Sequence, residues 1–121
     1  MTTADAATLV ERYIDVWNEQ DASSREEAVR ELWAPDARLV NDRHEYRGQD
    51  GVLLAVTRAF ERFTGKGYRF RPRGSVREHH GGIYAPWEML DPQGVVVSSG
   101  PNFLMLDPNG RIELDFQFVE R

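Results

Sequence analysis

The segment GPNFLMLDPNGRIELDFQF, residues 100–118, carries the clearest structural signal in the chain. An apolar run, Phe103–Leu106, leads into Asp107–Gly110, after which polar and apolar residues alternate from Ile112 to Phe118. Proline fixes the first turn dihedral and glycine permits the positive one, so an Asp-Pro-x-Gly sequence is typical of a hairpin turn. The segment therefore predicts two antiparallel strands, with Ile112, Leu114, Phe116 and Phe118 sharing one face of the last.

Further strands are predicted upstream of this hairpin. A second Asp-Pro-x-Gly turn at Asp91–Gly94 predicts that residues 95–106 form one long strand. Alternation at 83–90 places Trp87 on the inner face, and alternation at 68–73 predicts a strand with a basic outer face. A brief strand is also expected at Ala37–Asn41.

The first half of the chain is predicted to be helical. Apolar residues at helical spacing predict an amphipathic helix over roughly residues 4–19, with Thr2 or Thr3 as its cap. Ser23 or Ser24, each with a glutamate three residues later, predicts a capping box for a second helix that Pro35 ends. A third helix is expected from Val52 to the glycines that follow Phe63.

Three helices followed by strands of a curved antiparallel sheet predict one α+β domain over residues 1–121. The formal charge of −5 argues against a nucleic-acid partner, because that charge would repel phosphates. Cysteine is absent, which excludes disulfides and thiolate chemistry. No apolar run is long enough to span a membrane, so a cytoplasmic protein with no membrane association is expected.

A set of motifs spans nearly the whole chain, namely Arg12–Ile14, Trp17–Asn18, Asp21, Leu32–Trp33, Pro35–Leu39, Gly48, Asp50–Gly51, Trp87 and Gly110–Ile112. In these motifs the chain resembles the nuclear transport factor 2-like superfamily, and within it the SnoaL-like and ketosteroid isomerase-like branches. The resemblance implies a cone-shaped fold, with three N-terminal helices packed on a curved antiparallel (mixed) β-sheet. These are scaffold motifs, and one scaffold can host many reactions.

The resemblance implies positions for a catalytic tyrosine, a carboxylate base and a neutral acid. They fall on Tyr13, Asn41 and Asn102, so only the tyrosine is retained. An amide cannot exchange a proton near neutral pH, although Asn102 can donate a hydrogen bond to an oxyanion. Tyr13 is expected either to donate to a ligand carbonyl or to be a core tyrosine whose hydroxyl is bonded to Asn102 or Asn41.

Two nearby residues are candidates for the missing base. Asp42 follows Asn41, and a bulge there would turn it inward, where burial would raise the pKa of its carboxyl; the alternative is a solvated loop residue. His44 is the other candidate, because a histidine side chain is a common proton acceptor in catalysis, but a lone histidine in a polar loop is commonly a surface residue.

His79 and His80 are adjacent in the sequence. Neighbouring strand residues point to opposite faces, and no third ligand stands at a recognised spacing, so no metal site is predicted. His79 is expected to face inward as a pocket wall. No cofactor is implied.

The aromatic residues form either a packed core or, if the cone is incompletely filled, a pocket for a flat apolar ligand. The residues predicted to bind the substrate are Trp17, Asn41, Phe60, Phe63, His79, Trp87, Phe116 and Phe118. The expected function is cofactor-free isomerisation, cyclisation or dehydration of a hydrophobic or aromatic carbonyl compound. The alternative is a non-catalytic ligand-binding or dimerisation module, and a homodimer through the outer sheet face is expected in either case.

Overall fold

The computed structural model describes residues 2–120, so Met1 and Arg121 of the predicted domain lie outside the described residues. Within that range the helices are α1 (Thr3–Asn18), α2 (Ala22–Leu32) and α3 (Gly48–Arg62), with a 3-10 turn at Thr64–Lys66. The strands are β1 (Trp33–Val40), β2 (Glu45–Arg47), β3 (Arg69–Pro72), β4 (Arg77–His79), β5 (Gly82–Leu90), β6 (Val96–Leu106) and β7 (Ile112–Gln117).

The strands form one mixed, open, curved sheet on which the three helices pack. Its order is β2-β1-β7-β6-β5-β3, and β4 also pairs with β5. The contact between β1 and β7 is parallel, whereas the other pairs are antiparallel. The predicted α+β class, with helices on a curved mixed sheet, is confirmed.

The two Asp-Pro-x-Gly segments form the predicted turns. In each, the glycine N–H donates to the aspartate carbonyl, at 2.9 Å for Gly94 and 3.0 Å for Gly110. Both glycines have positive φ, 85° and 83°, which only a residue without Cβ adopts freely. Each aspartate Oδ1 also accepts from two backbone N–H groups that follow it. The side chain therefore fixes the turn that joins the long strands.

The helix starts differ partly from expectation. Thr2 caps α1, and its side chain and that of Asp5 bond reciprocally to backbone N–H groups. The cap of α2, however, is Asp21, which accepts from the Ser24 N–H at 2.9 Å. The predicted capping box at Ser23 or Ser24 was wrong because the helix already begins at Ala22, so both serines lie in its first turn and Asp21 is the cap.

The first strand begins earlier than expected, at Trp33 rather than Ala37. The helix α2 ends at Leu32, and β1 begins at once at Trp33, so Pro35 lies inside a strand and does not itself end the helix. A register shift relative to β7 spans Trp33 to Arg38. Proline cannot donate to a ladder and is placed where pairing is interrupted, which explains the shift.

The core lies between the helices and the concave face of the sheet. Its fully buried side chains include Trp33, Leu39, Ile83, Leu104 and Ile112. A carboxylic acid is buried with them, because Asp115 is 0 % exposed. No helix within residues 2–120 is long and apolar enough to cross a membrane.

Candidate active site

A pocket of about 680 Å³ opens between α1, α3 and the concave face of the sheet. Aromatic and aliphatic side chains form most of its wall, among them Ile14, Trp17, Phe63, Phe70, Trp87 and Met89. Its polar residues fall in two groups. One group comes from α1 and the central strands (Tyr13, Ser98, Asn102, Gln117), and the other comes from α3 and the β1–β2 region (Asn41, Asp42, Arg43, His44, Tyr46, Arg58, Glu61, Arg62).

The first group is organised as a chain of hydrogen bonds. The indole N–H of Trp87 donates to Asn102 Oδ1 at 2.9 Å, and Asn102 Nδ2 donates to the Tyr13 hydroxyl at 2.7 Å. An indole can only donate, so Trp87 fixes which way the amide points. The Tyr13 hydroxyl in turn lies 3.0 Å from both carboxyl oxygens of Asp115. A fourth side chain, Gln117, donates to the same hydroxyl at 3.3 Å.

Asp115 is the unusual member of this chain. Its pairing partners on the flanking strands, Leu39 and Leu104, are fully buried, so the carboxyl has little access to water. Burial raises its pKa from the usual 3.8 to about 7, although the hydrogen bond from Tyr13 acts in the opposite direction. Burial, with the adjacent carboxyl, also raises the pKa of Tyr13 well above its ordinary value. The Asp115 carboxyl is therefore populated in both protonation states near neutral pH.

Asp115 faces the core because β7 contains a bulge. Leu106 pairs with Ile112 and Met105 pairs with Leu114, so Glu113 is an extra residue on β7. An extra residue reverses the alternation beyond it. Ile112 points inward before the bulge. Beyond the bulge Asp115 and Gln117 point inward, and both side chains reach Tyr13.

Because of this bulge, the prediction that Phe116 and Phe118 line the pocket was wrong. Phe116 pairs with Phe103, which is 44 % exposed on the outer face, and Phe116 does not line the pocket. Phe118 is 50 % exposed, and its ring packs on Phe103 at 5.7 Å. Unbroken alternation from Ile112 had placed both phenylalanines inside.

Phe60 and His79 also lie away from the pocket. The Phe60 ring packs under the Arg25 guanidinium, 4.0 Å from its centroid, so it faces α2. His79 is exposed at the end of β4, opposite Gly82 across the two-residue turn His80–Gly81. Alternation counted back from Trp87 fails at this turn, because the chain reverses there. No cluster of three or more potential metal ligands occurs among residues 2–120.

The predicted bases lie on the loop between β1 and β2. Asp42 and His44 line the pocket, but both are exposed, so the burial expected for Asp42 is absent. Asn41 explains this, since its Oδ1 accepts from the backbone N–H groups of Arg43 and His44, both at 2.9 Å. A tight turn forms there, rather than the bulge that would have turned Asp42 inward.

The remaining predicted residues do converge on the pocket: Tyr13, Trp17, Asn41, Phe63, Trp87 and Asn102 all line it. Asp115, Gln117, Phe70, Tyr46 and Ser98 were not anticipated as site residues. The sequence offered no signal for Asp115, because Glu113 and Gln117 are equally polar positions of the same strand.

Known proteins share this architecture. The family model described as "SnoaL-like domain" matches residues 10–113. A candidate isomerase of the SnoaL-like family from Agrobacterium tumefaciens str. C58 superposes with a TM-score of 0.92 at 28% identity, covering 98% of this chain and 99% of that one.

Two more distant solved structures show the same fold. A candidate SnoaL-like polyketide cyclase from Jannaschia sp. CCS1 has a TM-score of 0.77 at 16% identity, covering 98% of this chain and 87% of that one. An NTF2-like protein of unknown function from Exiguobacterium sp. 255-15 has a TM-score of 0.73 at 18% identity, covering 93% and 98%. No curated protein matched the chain. With a family match over most of its length, the chain belongs to the SnoaL-like family, and its three helices on a curved mixed sheet have the nuclear transport factor 2-like fold.

Proposed function

We propose that this protein is a cofactor-independent isomerase, cyclase or dehydratase that transfers protons on a hydrophobic or aromatic carbonyl compound bound in the pocket. The observation that carries the proposal is the hydrogen bond of Tyr13, at the pocket wall, to a buried carboxyl whose pKa is about 7. Proton transfer is most efficient when the pKa of the catalytic group lies near the working pH. Asp115 meets that condition, whereas an ordinary carboxyl does not.

Tyr13 would connect Asp115 to the substrate, because Tyr13 lines the pocket and Asp115 lies behind it. In the forward step the Tyr13 hydroxyl gives its proton to the carbonyl oxygen, and protonated Asp115 returns a proton to the Tyr13 oxygen. The substrate becomes an oxygen-protonated, enol-type species once its α-proton leaves, and Asp115 becomes a carboxylate. Reversal of the same transfers restores the carbonyl group.

Asn102 would assist this exchange. Its Nδ2 donates to the Tyr13 oxygen, so it stabilises negative charge that develops there, and Trp87 holds the amide in that orientation. Its second N–H has no acceptor among the described residues, which leaves it available to a ligand oxygen. The acceptor of the carbon-bound proton stays a prediction from the sequence, namely Asp42 or His44 at the mouth.

A second candidate function is a ligand-binding module without catalysis. It is favoured by the burial of Tyr13, which is 1 % exposed and whose single proton is directed at Asp115. In that case the hydrogen-bond chain would only stabilise the fold.

Exchange of carbon-bound hydrogen in heavy water separates these two functions. The α-protons of β-tetralone, a bicyclic aromatic ketone, are followed by NMR with the wild type, Asp115→Asn and Tyr13→Phe. Because general acid–base catalysis contributes typically ~10²–10⁴-fold, each variant should lose most of the exchange above background. The wild-type rate should also show an inflection near pH 7 that Asp115→Asn lacks.

Asp15→Asn is the matched control, since Asp15 is exposed on α1 and does not line the pocket. Asp42→Asn and His44→Gln test the bases predicted from the sequence. Wild-type exchange no faster than background would favour the binding module. Exchange that survives Asp115→Asn but not Asp42→Asn would move the acid–base group to the mouth.

A further inference from the structure

Three arginines surround the mouth of the pocket. Arg58 and Arg62 lie one helical turn apart on α3, and Arg43 lies on the loop between β1 and β2; all three are exposed and line the pocket. The carboxylates of Asp42 and Glu61 line it as well. The mouth thus carries more positive than negative charge, although the whole chain has a formal charge of −5.

The three guanidinium groups are not neutralised by the protein. Over residues 2–120 no carboxylate lies within 4.0 Å of Arg43, Arg58 or Arg62. Six other arginines do have such a partner: Arg12, Arg30, Arg38, Arg47, Arg71 and Arg73. A guanidinium presents a planar set of donors that matches a carboxylate, so unpaired arginines beside an apolar pocket favour an anionic ligand.

Two of these arginines are held in place by aromatic rings. Arg58 Nη1 donates to the Tyr46 hydroxyl at 3.2 Å, and the Arg62 guanidinium lies 5.1 Å from the centroid of Phe63. Tyr46 is buried and lines the pocket. Its oxygen accepts from Arg58, and no described residue accepts its proton. Tyr46 and Arg58 therefore offer adjacent O–H and N–H donors, with little side-chain freedom left to lose on binding.

The pocket thus combines two groups of polar residues, from different elements of the fold, with apolar side chains that include Trp17, Phe63 and Phe70. This combination suits a ligand that has an apolar body and two polar groups. We propose that the substrate bears a carboxylate that Tyr46 and Arg58 bind at the mouth, with Arg43 and Arg62 adding positive charge. The inference rests on the proposed function, because it places the carbonyl group of the same molecule at Tyr13.

Binding of two matched probes tests the proposal without reference to catalysis. Naphthylacetate and naphthylacetamide have the same shape and differ in charge, and calorimetric titration gives the Kd of each. A single exposed ion pair adds up to about fivefold in affinity, so naphthylacetate should bind roughly fivefold or more tightly at low salt. That ratio should shrink as salt is added, since mobile ions screen the mouth.

Arg58→Gln and Tyr46→Phe should each bring the ratio toward one, because each removes a donor that favours the carboxylate over the amide. Arg62→Gln serves as a second exposed variant, and thermal melting verifies that each protein is folded. Arg69→Gln is the control, because Arg69 is exposed on β3 and does not line the pocket. The substitution changes the net charge by the same amount as Arg58→Gln. Its ratio should equal that of the wild type.

The proposal is overturned by equal affinity for the two probes, by preference for the amide, or by failure of naphthylacetate to bind. It is also overturned if Arg69→Gln lowers the ratio as much as Arg58→Gln, since the effect would then be one of net charge alone. The β-tetralone assay uses a neutral ketone and so reports on the proposed function independently. Loss of charge selectivity in the calorimetric titrations refutes only the carboxylate on the substrate. Hydrogen exchange of β-tetralone that is independent of Asp115 refutes only the proton-transfer role.

Discussion

Replacing the buried carboxyl with its neutral isostere, Asp115→Asn, should change the pH dependence of folding in a defined direction. The pKa of Asp115 is raised in the folded state, from 3.8 to about 7. Below the lower value the carboxyl is protonated in both states. Between the two values the unfolded chain releases the proton while the folded chain keeps it, so the wild type loses stability as pH rises. Above the higher value both states are ionised and the loss is complete.

The size of this loss follows from the two pKa values. Each unit of pKa difference corresponds to about 1.4 kcal/mol, so the interval from 3.8 to about 7 is equivalent to roughly 4 kcal/mol. An amide at position 115 cannot ionise and does not incur this loss. The free energy of unfolding of the variant, minus that of the wild type, should therefore increase by roughly 4 kcal/mol between about pH 4 and pH 8.

Urea denaturation followed by tryptophan fluorescence, at one-unit steps of pH, measures both proteins. The difference between them removes the contribution of other carboxyls, such as Asp21, whose pKa is lowered to about 2 by hydrogen bonds from Ser23 and Ser24. The altered contact with Tyr13 can also change the stability of the variant. That change is the same at every pH, so it shifts the difference in free energy of unfolding without altering how this difference depends on pH. A difference that stays flat across this range would show that Asp115 ionises normally in the folded protein, and the acid–base role proposed for it would lose its basis.

Two further expectations concern the scaffold. A Cβ at Gly100 would lie 1.9 Å from the carbonyl oxygen of Phe118, and that backbone is tied to β6 by the bond from the Phe118 N–H to Pro101. Gly100→Ala should therefore cost roughly 1–3 kcal/mol of stability by overpacking, and an unchanged urea midpoint would contradict this. On the outer sheet face Val97, Phe103, Met105 and Phe118 are exposed, so a homodimer through this face is expected. Light scattering at micromolar concentration should return the mass of two chains, and the mass of one chain would refute it.

The sequence was sufficient for the parts of the molecule that local chemistry determines. The turns at Asp91 and Asp107 were predictable, because proline and glycine set their dihedrals regardless of the rest of the fold. The inward position of Trp87 was predictable as well, since β5 alternates between buried and half-buried residues without interruption.

The candidate site was less predictable, because Asp115 depends on pairing between distant segments. Nothing in the sequence of β7 marks Glu113 as the extra residue; that role emerges only from the register with β6. The prediction that Asp42 turns inward failed for a related reason, because the Asn41 side chain forms a turn where a bulge was expected. The register error thus hid Asp115 and assigned Phe116 and Phe118 to the wrong face, and the error in loop shape misplaced Asp42.

The bulge at Glu113 also bears on how the chain tolerates changes in length. A variant lacking this single residue would have Ile112 followed directly by Leu114, and plain alternation would still direct Ile112, Asp115 and Gln117 to the concave face. The bulge thus absorbs an insertion that would otherwise have turned the carboxyl to solvent. Among relatives of this chain, loss of this one residue should therefore leave the pocket intact, and in members that lack it the inward residues of this strand should follow plain alternation.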